Sequence, residues 1–197
     1  MLALIRLTAG AMNLPSLTLG LDRLKSGSIG MSAVYGAFLA EAASHCLKAN
    51  RHPDPVALYV TGDDCFVAHL GWCDSAVPDD ATWADPQEAT EYGAYGIAIV
   101  VALPLTKTSR VERSARGPGI DYWMGDSRDQ TGIFQRSARL EVSGILKGDN
   151  AKIAARLKEK ISQTNRSASS GLSAYVAIVE FSAPEARLVR KATELSL

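Results

Sequence analysis

Three segments of the chain repeat apolar residues at the spacing of an amphipathic helix. The first follows Ser32, a residue type that caps helices, and its expected buried face consists of Val34, Phe38, Ala42 and Leu47. The second starts at Asp85-Pro86, an acid at the cap followed by proline in the first turn, and Pro104 marks its expected end. The third follows Gly148-Asp149 and spaces Ile153, Leu157 and Ile161 four residues apart.

The segments between these helices have the patterns of β-strands. Two apolar runs flank Thr61-Gly62-Asp63-Asp64, which predicts a hairpin over residues 56–72. "SRVERSAR", "GIDYWMG" and "FQRSARLEVSGIL" predict three more strands, the first two joined by the turn Gly117-Pro118-Gly119. "AYVAIVEFS" is a near-continuous apolar run that we expect inside a sheet, and "ARLVRKATEL" fits a final strand or a short helix. We expect a flexible loop at "TNRSASSGLS".

Length and composition indicate one globular domain. The chain has 197 residues, of which 47% are hydrophobic and 21% charged, as in ordinary globular proteins. We therefore expect a single domain over residues 1–197 with an α/β fold, in which a mixed central sheet is flanked by helices. Residues 85–197 would form its core, in the order helix, three strands, helix, strand. Residues 1–84 would add an N-terminal helix-hairpin layer.

Charge and cysteine content narrow the class of partner and the compartment. Lys+Arg and Asp+Glu balance at 21 each, so any nucleic-acid binding must use a local patch. Three cysteines without a CxxC pair favour a reducing compartment, and we expect the cytoplasm. The longest apolar run, "IAIVVALPL", is shorter than a membrane span, so we expect no membrane segment.

Two acids on neighbouring predicted strands form the candidate active site. Asp121 lies in the second strand of the core and Glu141 in the third, so a hairpin can place their carboxylates side by side. Strand alternation puts Arg139, Glu141 and Ser143 on one face. Paired carboxylates hold Mg²⁺ together with substrate phosphates, and the metal can activate water for attack on a phosphodiester. In the alternative interpretation, Asp121 caps the Gly117–Gly119 turn and Glu141 pairs with an arginine across the sheet.

The element order with Asp121 in "GIDYW" and Glu141 in "LEVSG" resembles the PD-(D/E)XK, or restriction-endonuclease-like, nuclease superfamily. The resemblance covers roughly residues 85 to 182. It implies that Asp121 and Glu141 bind Mg²⁺ or Mn²⁺, and that Glu88 or Glu91 of the first core helix assists. Ser143 occupies the position of the family's lysine, where we expect it to hold the attacking water. A serine does not carry the lysine's charge.

The resemblance implies cleavage of DNA or RNA, in one interpretation as defence against foreign nucleic acid. Trp123 would lie beside Asp121 on the same strand face, where it could contact the ligand. Phosphate contacts would come from four arginines near the motif: Arg113, Arg116, Arg136 and Arg139. The alternative function is a non-catalytic binding or assembly protein that keeps the fold. A protein partner or a homo-oligomer is compatible with either function.

A weaker pattern points to a second kind of metal site. Cys65, His69 and Cys73 lie four residues apart, and with His45 or Cys46 they have the donor types of a zinc site. The simpler interpretation of "CFVAHLGWC" is a strand with packed small residues.

Overall fold

The computed structural model describes residues 16–72, 80–128 and 133–191. It contains three helices: α1 (Ala33–Ala49), α2 (Pro86–Thr106) and α3 (Asn150–Gln163). Its strands are β1 (Ser16–Gly20), β2 (Val56–Gly62), β3 (Phe66–Gly71), β4 (Arg110–Arg113), β5 (Tyr122–Arg128), β6 (Ile133–Ile145), β7 (Ser173–Glu180) and β8 (Glu185–Lys191). Short 3₁₀ helices cover Leu21–Ser26, Asp80–Trp83 and Thr164–Ser170.

The strands form one mixed sheet, in the order β1-β3-β2-β8-β7-β6-β5-β4. The pairs β1/β3, β2/β8 and β6/β7 are parallel, and the other neighbours are antiparallel. An α/β fold with a mixed sheet and helices is therefore confirmed. From α2 onward the elements follow the expected order of helix, three strands, helix, strand, and β7 lies inside the sheet as its apolar run predicts.

The alternation of side chains along β7 shows that helices cover both faces of the sheet. Ala177 and Val179 belong to the large core that α1 and α2 complete. Val176 and Ile178 point the other way and pack against Ile153 of α3. Successive strand residues face opposite sides, so a strand covered on both faces must be apolar throughout.

α1 and α2 pack closely against each other. Ser32 caps α1 and Asp85 caps α2, both as predicted, by accepting hydrogen bonds from backbone N–H groups in the first turn. The predicted buried face of α1 is partly wrong, because Val34 is 81% exposed while Leu39, Ala43 and Cys46 are buried. α1 contacts α2 through its small residues, such as Ala42 and Ala43. A hydrophobicity pattern does not show which apolar side of a helix faces another helix.

Four local expectations differ from the structure. The predicted 56–72 hairpin is not a separate layer, because β2 pairs with β8 and extends the same sheet. α2 continues past Pro104 to Thr106, and Lys107 caps it in a left-handed conformation, its backbone N–H donating to Leu103 O and Pro104 O. Thr164–Ser170, expected as part of a flexible loop, forms a 3₁₀ helix. The Thr164 hydroxyl donates a hydrogen bond to Ile161 O and so connects this helix to α3. Asp121 lies directly before β5 rather than within it.

α2 is long and apolar enough to cross a bilayer by length and composition. In this fold, however, 72% of its apolar window is buried, and it is the central helix of the core. Core helices of soluble proteins commonly have this composition.

Glycines allow the close approach of α1 and α2. A Cβ added at Gly93 would lie 3.0 Å from both the N and the Cα of Ala43.

We predict that Gly93→Leu lowers the free energy of unfolding by roughly 1–3 kcal/mol, because the larger side chain must force the helices apart. Urea denaturation measures the effect. Gly20→Ala is the control, since no atom lies within 4 Å of the added Cβ, and an equal loss there would contradict this explanation.

Candidate functional site

Asp121 is held on β6 by hydrogen bonds to both of its carboxylate oxygens. Oδ2 accepts from the Val142 N–H at 2.8 Å, and Oδ1 accepts from the Tyr95 hydroxyl at 3.0 Å. The backbone N–H of Asp121 also donates to Leu140 O at 2.9 Å. Donors from β6 and α2 therefore fix both the position and the orientation of this carboxylate. The Gly117–Gly119 turn that Asp121 was alternatively expected to cap provides none of these bonds.

Glu141 lies next to Asp121 on the face of β6 that α3 covers. Only 4% of it is exposed, and its Oε1 accepts from Lys160 Nζ at 2.6 Å. The Glu141 and Asp121 carboxyl groups also interact, since each shifts the pKa of the other. Two acids that are twenty residues apart in the chain and one lysine of α3 therefore form a compact group, in which Glu141 is buried and the other two are partly buried. The partner of Glu141 is this lysine and not an arginine across the sheet.

The environment of the pair favours the protonated form of both acids. Burial and, next to it, the charge of Asp121 together raise the pKa of Glu141 to about 7, although Lys160 opposes the shift. Burial also raises the pKa of Asp121, against the lowering effect of its hydrogen bonds with Val142 and Tyr95. Two carboxyl groups that share a site with little solvent do not ionise independently.

Ser143, which the sequence resemblance aligns with the superfamily's lysine, is 8% exposed and accepts a hydrogen bond from Arg156 Nη1 at 2.9 Å. Arg156 and Lys160 are one turn apart on α3, so both reach the polar face of β6. Two basic side chains of α3 therefore lie against Glu141 and Ser143.

Two cavities, each of about 490 Å³, adjoin this group. Glu91, Tyr95 and Lys160 line both of them. One cavity is also lined by Asp121 and Glu141, together with Arg116 and Arg166. The other is lined by Ser143, Lys152 and Arg156. The acids therefore line one cavity, and basic side chains line both.

The two glutamates considered on α2 occupy different places. Glu91 lines both cavities, and its Oε1 lies 2.9 Å from the Tyr95 hydroxyl. Glu88 is exposed in the first turn of α2 and lines neither cavity. Glu91 is therefore the glutamate that the structure brings to the acids.

The expected phosphate contacts are only partly available. Arg139 is buried, and it donates to Leu172 O, Thr164 O and Ser167 Oγ, so its assignment as a phosphate contact is wrong. Its guanidinium instead anchors the 3₁₀ helix after α3. Arg116 is exposed and lines the cavity of the acids.

Two further residues are already engaged with other side chains. Arg113 lies over the rings of Tyr35, Tyr95 and Tyr122 at 5.2–5.7 Å from their centroids, while remaining at the rim of the cavity. Arg136 forms an ion pair with Glu112 and covers the Trp123 ring at 4.6 Å. A nucleic acid that stacked on Trp123 would first have to displace Arg136.

A buried carboxylate fixes the start of α3. Glu180 is 1% exposed and accepts hydrogen bonds from the backbone N–H groups of Gly148, Ser182 and Ala183 at 3.1, 3.0 and 2.6 Å. It thereby joins the turn before α3 to the turn between β7 and β8. The orientation of α3, and with it the direction of Arg156 and Lys160, depends on this clamp.

Three residues of the site were not identified from the sequence: Tyr95, Arg156 and Lys160. One signal was present for the two basic residues. They precede Leu157 and Ile161, which pack against the sheet, so both flank the buried face of α3. Tyr95 was missed because a sequence does not show where a hydroxyl points.

The zinc interpretation has no support in the described part of the chain. No group of three or more His, Cys, Asp or Glu side chains there is arranged to hold a metal ion. Cys65 and His69 are exposed, whereas burial raises the pKa of the Cys46 thiol to about 12 and disfavours the thiolate that binds zinc. Cys73 lies outside the described residues.

Comparison of the chain with protein-family models, curated proteins and solved structures gave no match.

The raised pKa of Glu141 predicts a pH dependence of stability. A carboxyl group with a higher pKa in the folded state than its ordinary value of 4.5 stabilises the fold while protonated, and this contribution is lost as pH rises towards about 7. In metal-free protein kept in EDTA, wild type should lose stability relative to Glu141→Gln between pH 4.5 and 7. Urea denaturation at a series of pH values measures the difference. Parallel pH profiles for the two proteins would show that Glu141 does not titrate in this range.

Proposed function

We propose that this protein is a metal-dependent hydrolase of phosphodiester bonds in DNA or RNA, with a core like that of the PD-(D/E)XK nucleases. The order helix, three strands, helix, strand from α2 to β7 supports this proposal. So does the placement of Asp121 at the start of β5 and Glu141 on the adjacent β6. Each feature alone is compatible with other functions, so the argument depends on the chemistry of the site.

The observation that carries the proposal is the group formed by the buried Glu141 with the partly buried Asp121 and Lys160. Each carboxyl group shifts the pKa of the other, and Lys160 Nζ lies 2.6 Å from Glu141 Oε1. A fold gains little stability from two adjacent acids that are removed from solvent and served by a single lysine. An arrangement that is costly for folding and that lines a cavity is typical of a functional site.

The residues of the site fit a divalent cation. Asp121 and Glu141 would hold Mg²⁺ or Mn²⁺, since hard cations bind through one or two carboxylates and complete their coordination with water and substrate phosphate. When bound, such an ion polarises the phosphate and lowers the pKa of a coordinated water. The proximity of two acids with raised pKa values supports this assignment, because a cation relieves their mutual repulsion.

Lys160 supplies the charge that Ser143 lacks. Its ammonium group reaches the acids from α3, 18% exposed, while Arg156 holds the Ser143 hydroxyl. In this role Lys160 stabilises negative charge on the phosphoryl oxygens as water attacks phosphorus and the P–O bond to the leaving group breaks. The guanidinium of Arg156 stays protonated, so it contributes charge and does not act as a base.

The two cavities give the substrate a path across the acids. Arg116 and Arg166 line the first opening and Lys152 and Arg156 the second, so phosphates on either side of the scissile bond would meet positive charge. This local arrangement provides the basic patch that the balanced net charge of the chain does not.

The proposal predicts that cleavage depends on Lys160. With plasmid DNA or RNA and Mg²⁺ or Mn²⁺, Lys160→Met should lower kcat by roughly 10²- to 10³-fold, as does the loss of one group that stabilises a transition state. Lys158→Met is the matched control, because Lys158 lies on the exposed side of the same helix and lines neither cavity. Initial rates of product formation on gels measure the effect.

Cleavage that survives in Glu141→Ala would come from a contaminating nuclease and would count against the site. If wild type cleaves neither DNA nor RNA with either metal, the hydrolase assignment is wrong. Retained binding of nucleic acid or protein would then support the non-catalytic alternative.

Metal binding is predicted to be measurable without catalysis. A ligand that binds only the folded state adds on the order of 2–3 kcal/mol to stability at about 100 times its Kd. We expect Mn²⁺ to raise the Tm of wild type and to have no such effect on Asp121→Asn, which keeps the shape of the side chain and removes its charge. Asp126→Asn is the control, because this exposed residue of β5 lines neither cavity. An undiminished Mn²⁺ response in Asp121→Asn would place the cation elsewhere.

A further inference from the structure

The hydroxyl of Tyr95 lies between two carboxylates. It is 3.0 Å from Asp121 Oδ1 and 2.9 Å from Glu91 Oε1, and the residue is 5% exposed. Tyr95 also lines both cavities. It is the contact through which α2 reaches Asp121.

A count of donors shows how Asp121 depends on this hydroxyl. A tyrosine hydroxyl has a single proton, so it donates to only one of the two carboxylates at a time. The Val142 N–H already serves Oδ2 of Asp121, and Lys160 serves Glu141 rather than Asp121. Without the Tyr95 hydroxyl, Oδ1 would lose its bond to α2, and the Val142 N–H at Oδ2 alone would set the rotation of the carboxylate less tightly.

The ring of Tyr95 is held in place by its neighbours. It packs edge-on against Tyr92 at 6.1 Å and Tyr122 at 5.6 Å between centroids, and the Arg113 guanidinium lies 5.2 Å from it. Since α2 is the central helix of the core, the hydroxyl is presented from a rigid support. A fixed donor transmits its own position to the group that it contacts.

We propose that Tyr95 is a positioning residue that holds the Asp121 carboxylate in the orientation in which it binds the divalent cation. This inference rests on the proposed function, because it assigns to Tyr95 an effect on the metal and on the reaction. Groups that orient a metal ligand from outside the coordination shell typically contribute 10- to 100-fold to metal affinity. Tyr95 itself need not touch the metal or the substrate.

Tyr95→Phe tests the proposal because it removes the hydroxyl and keeps the ring. Tyr92→Phe is the matched control, as it makes the same change one turn earlier on α2. Binding of Mn²⁺ alone, by titration calorimetry on the full chain, should be roughly 10- to 100-fold weaker in Tyr95→Phe and unchanged in Tyr92→Phe. With an oligonucleotide substrate at fixed subsaturating Mn²⁺, kcat should fall while KM stays the same. Thermal unfolding without metal shows whether both variants fold.

The outcomes separate this proposal from the proposed function. If wild type binds Mn²⁺ and loses it in Asp121→Asn, but Tyr95→Phe binds Mn²⁺ within twofold of wild type, then Tyr95 does not position Asp121. The same conclusion follows if KM rises with kcat unchanged, or if Tyr92→Phe weakens Mn²⁺ binding equally. If wild type itself binds no Mn²⁺, the metal-dependent function fails and the role of Tyr95 fails with it.

Discussion

The coverage of β6 and β7 on both faces by helices is the constraint on which the rest of the structure depends. β7 meets it with apolar residues on both sides, and α2 and α3 pack on them. β6 does not, because Leu140 and Val142 face the main core while Glu141 and Ser143 point towards α3. Buried polar groups need partners, so α3 must supply them at fixed positions. Arg156 and Lys160, which lie beside the apolar stripe of α3, provide these partners. The polar face of β6 is therefore costly to bury, and it is also the place where the acids and bases of the candidate site meet.

The electrostatics of the site are independent of the chain's overall balance of charge. Net charge is zero over the sequence, yet acids and bases are segregated locally, with carboxylates at the centre and basic side chains at both openings. Burial makes this segregation effective, because solvent does not screen charges that are enclosed between a sheet and two helices. The two acids keep raised pKa values even with a lysine in contact, so one positive charge does not neutralise the pair.

Local signals in the sequence were sufficient for most elements of the fold and for one half of the site. Caps at Ser32, Asp85 and Asp149 marked helix starts correctly, because capping is a contact within a few residues. The pairing of two consecutive strands, β5 and β6, places Asp121 beside Glu141 as the hairpin pattern predicts. Lys160 was missed because its contact with Glu141 depends on how α3 crosses the sheet. Arg139 was misassigned because its hydrogen-bond partners lie in the segment of the chain after α3. Long-range packing decided both, and periodicity carries no information about it.

α3 is held at both ends, by Glu180 at the turn before it and by Arg139 on the 3₁₀ helix that follows it. Lys160 lies ten residues beyond Asn150, about 15 Å along the helix axis at the rise of an α-helix. Over that length a tilt of roughly 4° displaces the ammonium group by about 1 Å, given that rise. A misplacement of this size is enough to cost a catalytic group much of its effect. A substitution at either anchor can therefore misalign the site without altering the acids.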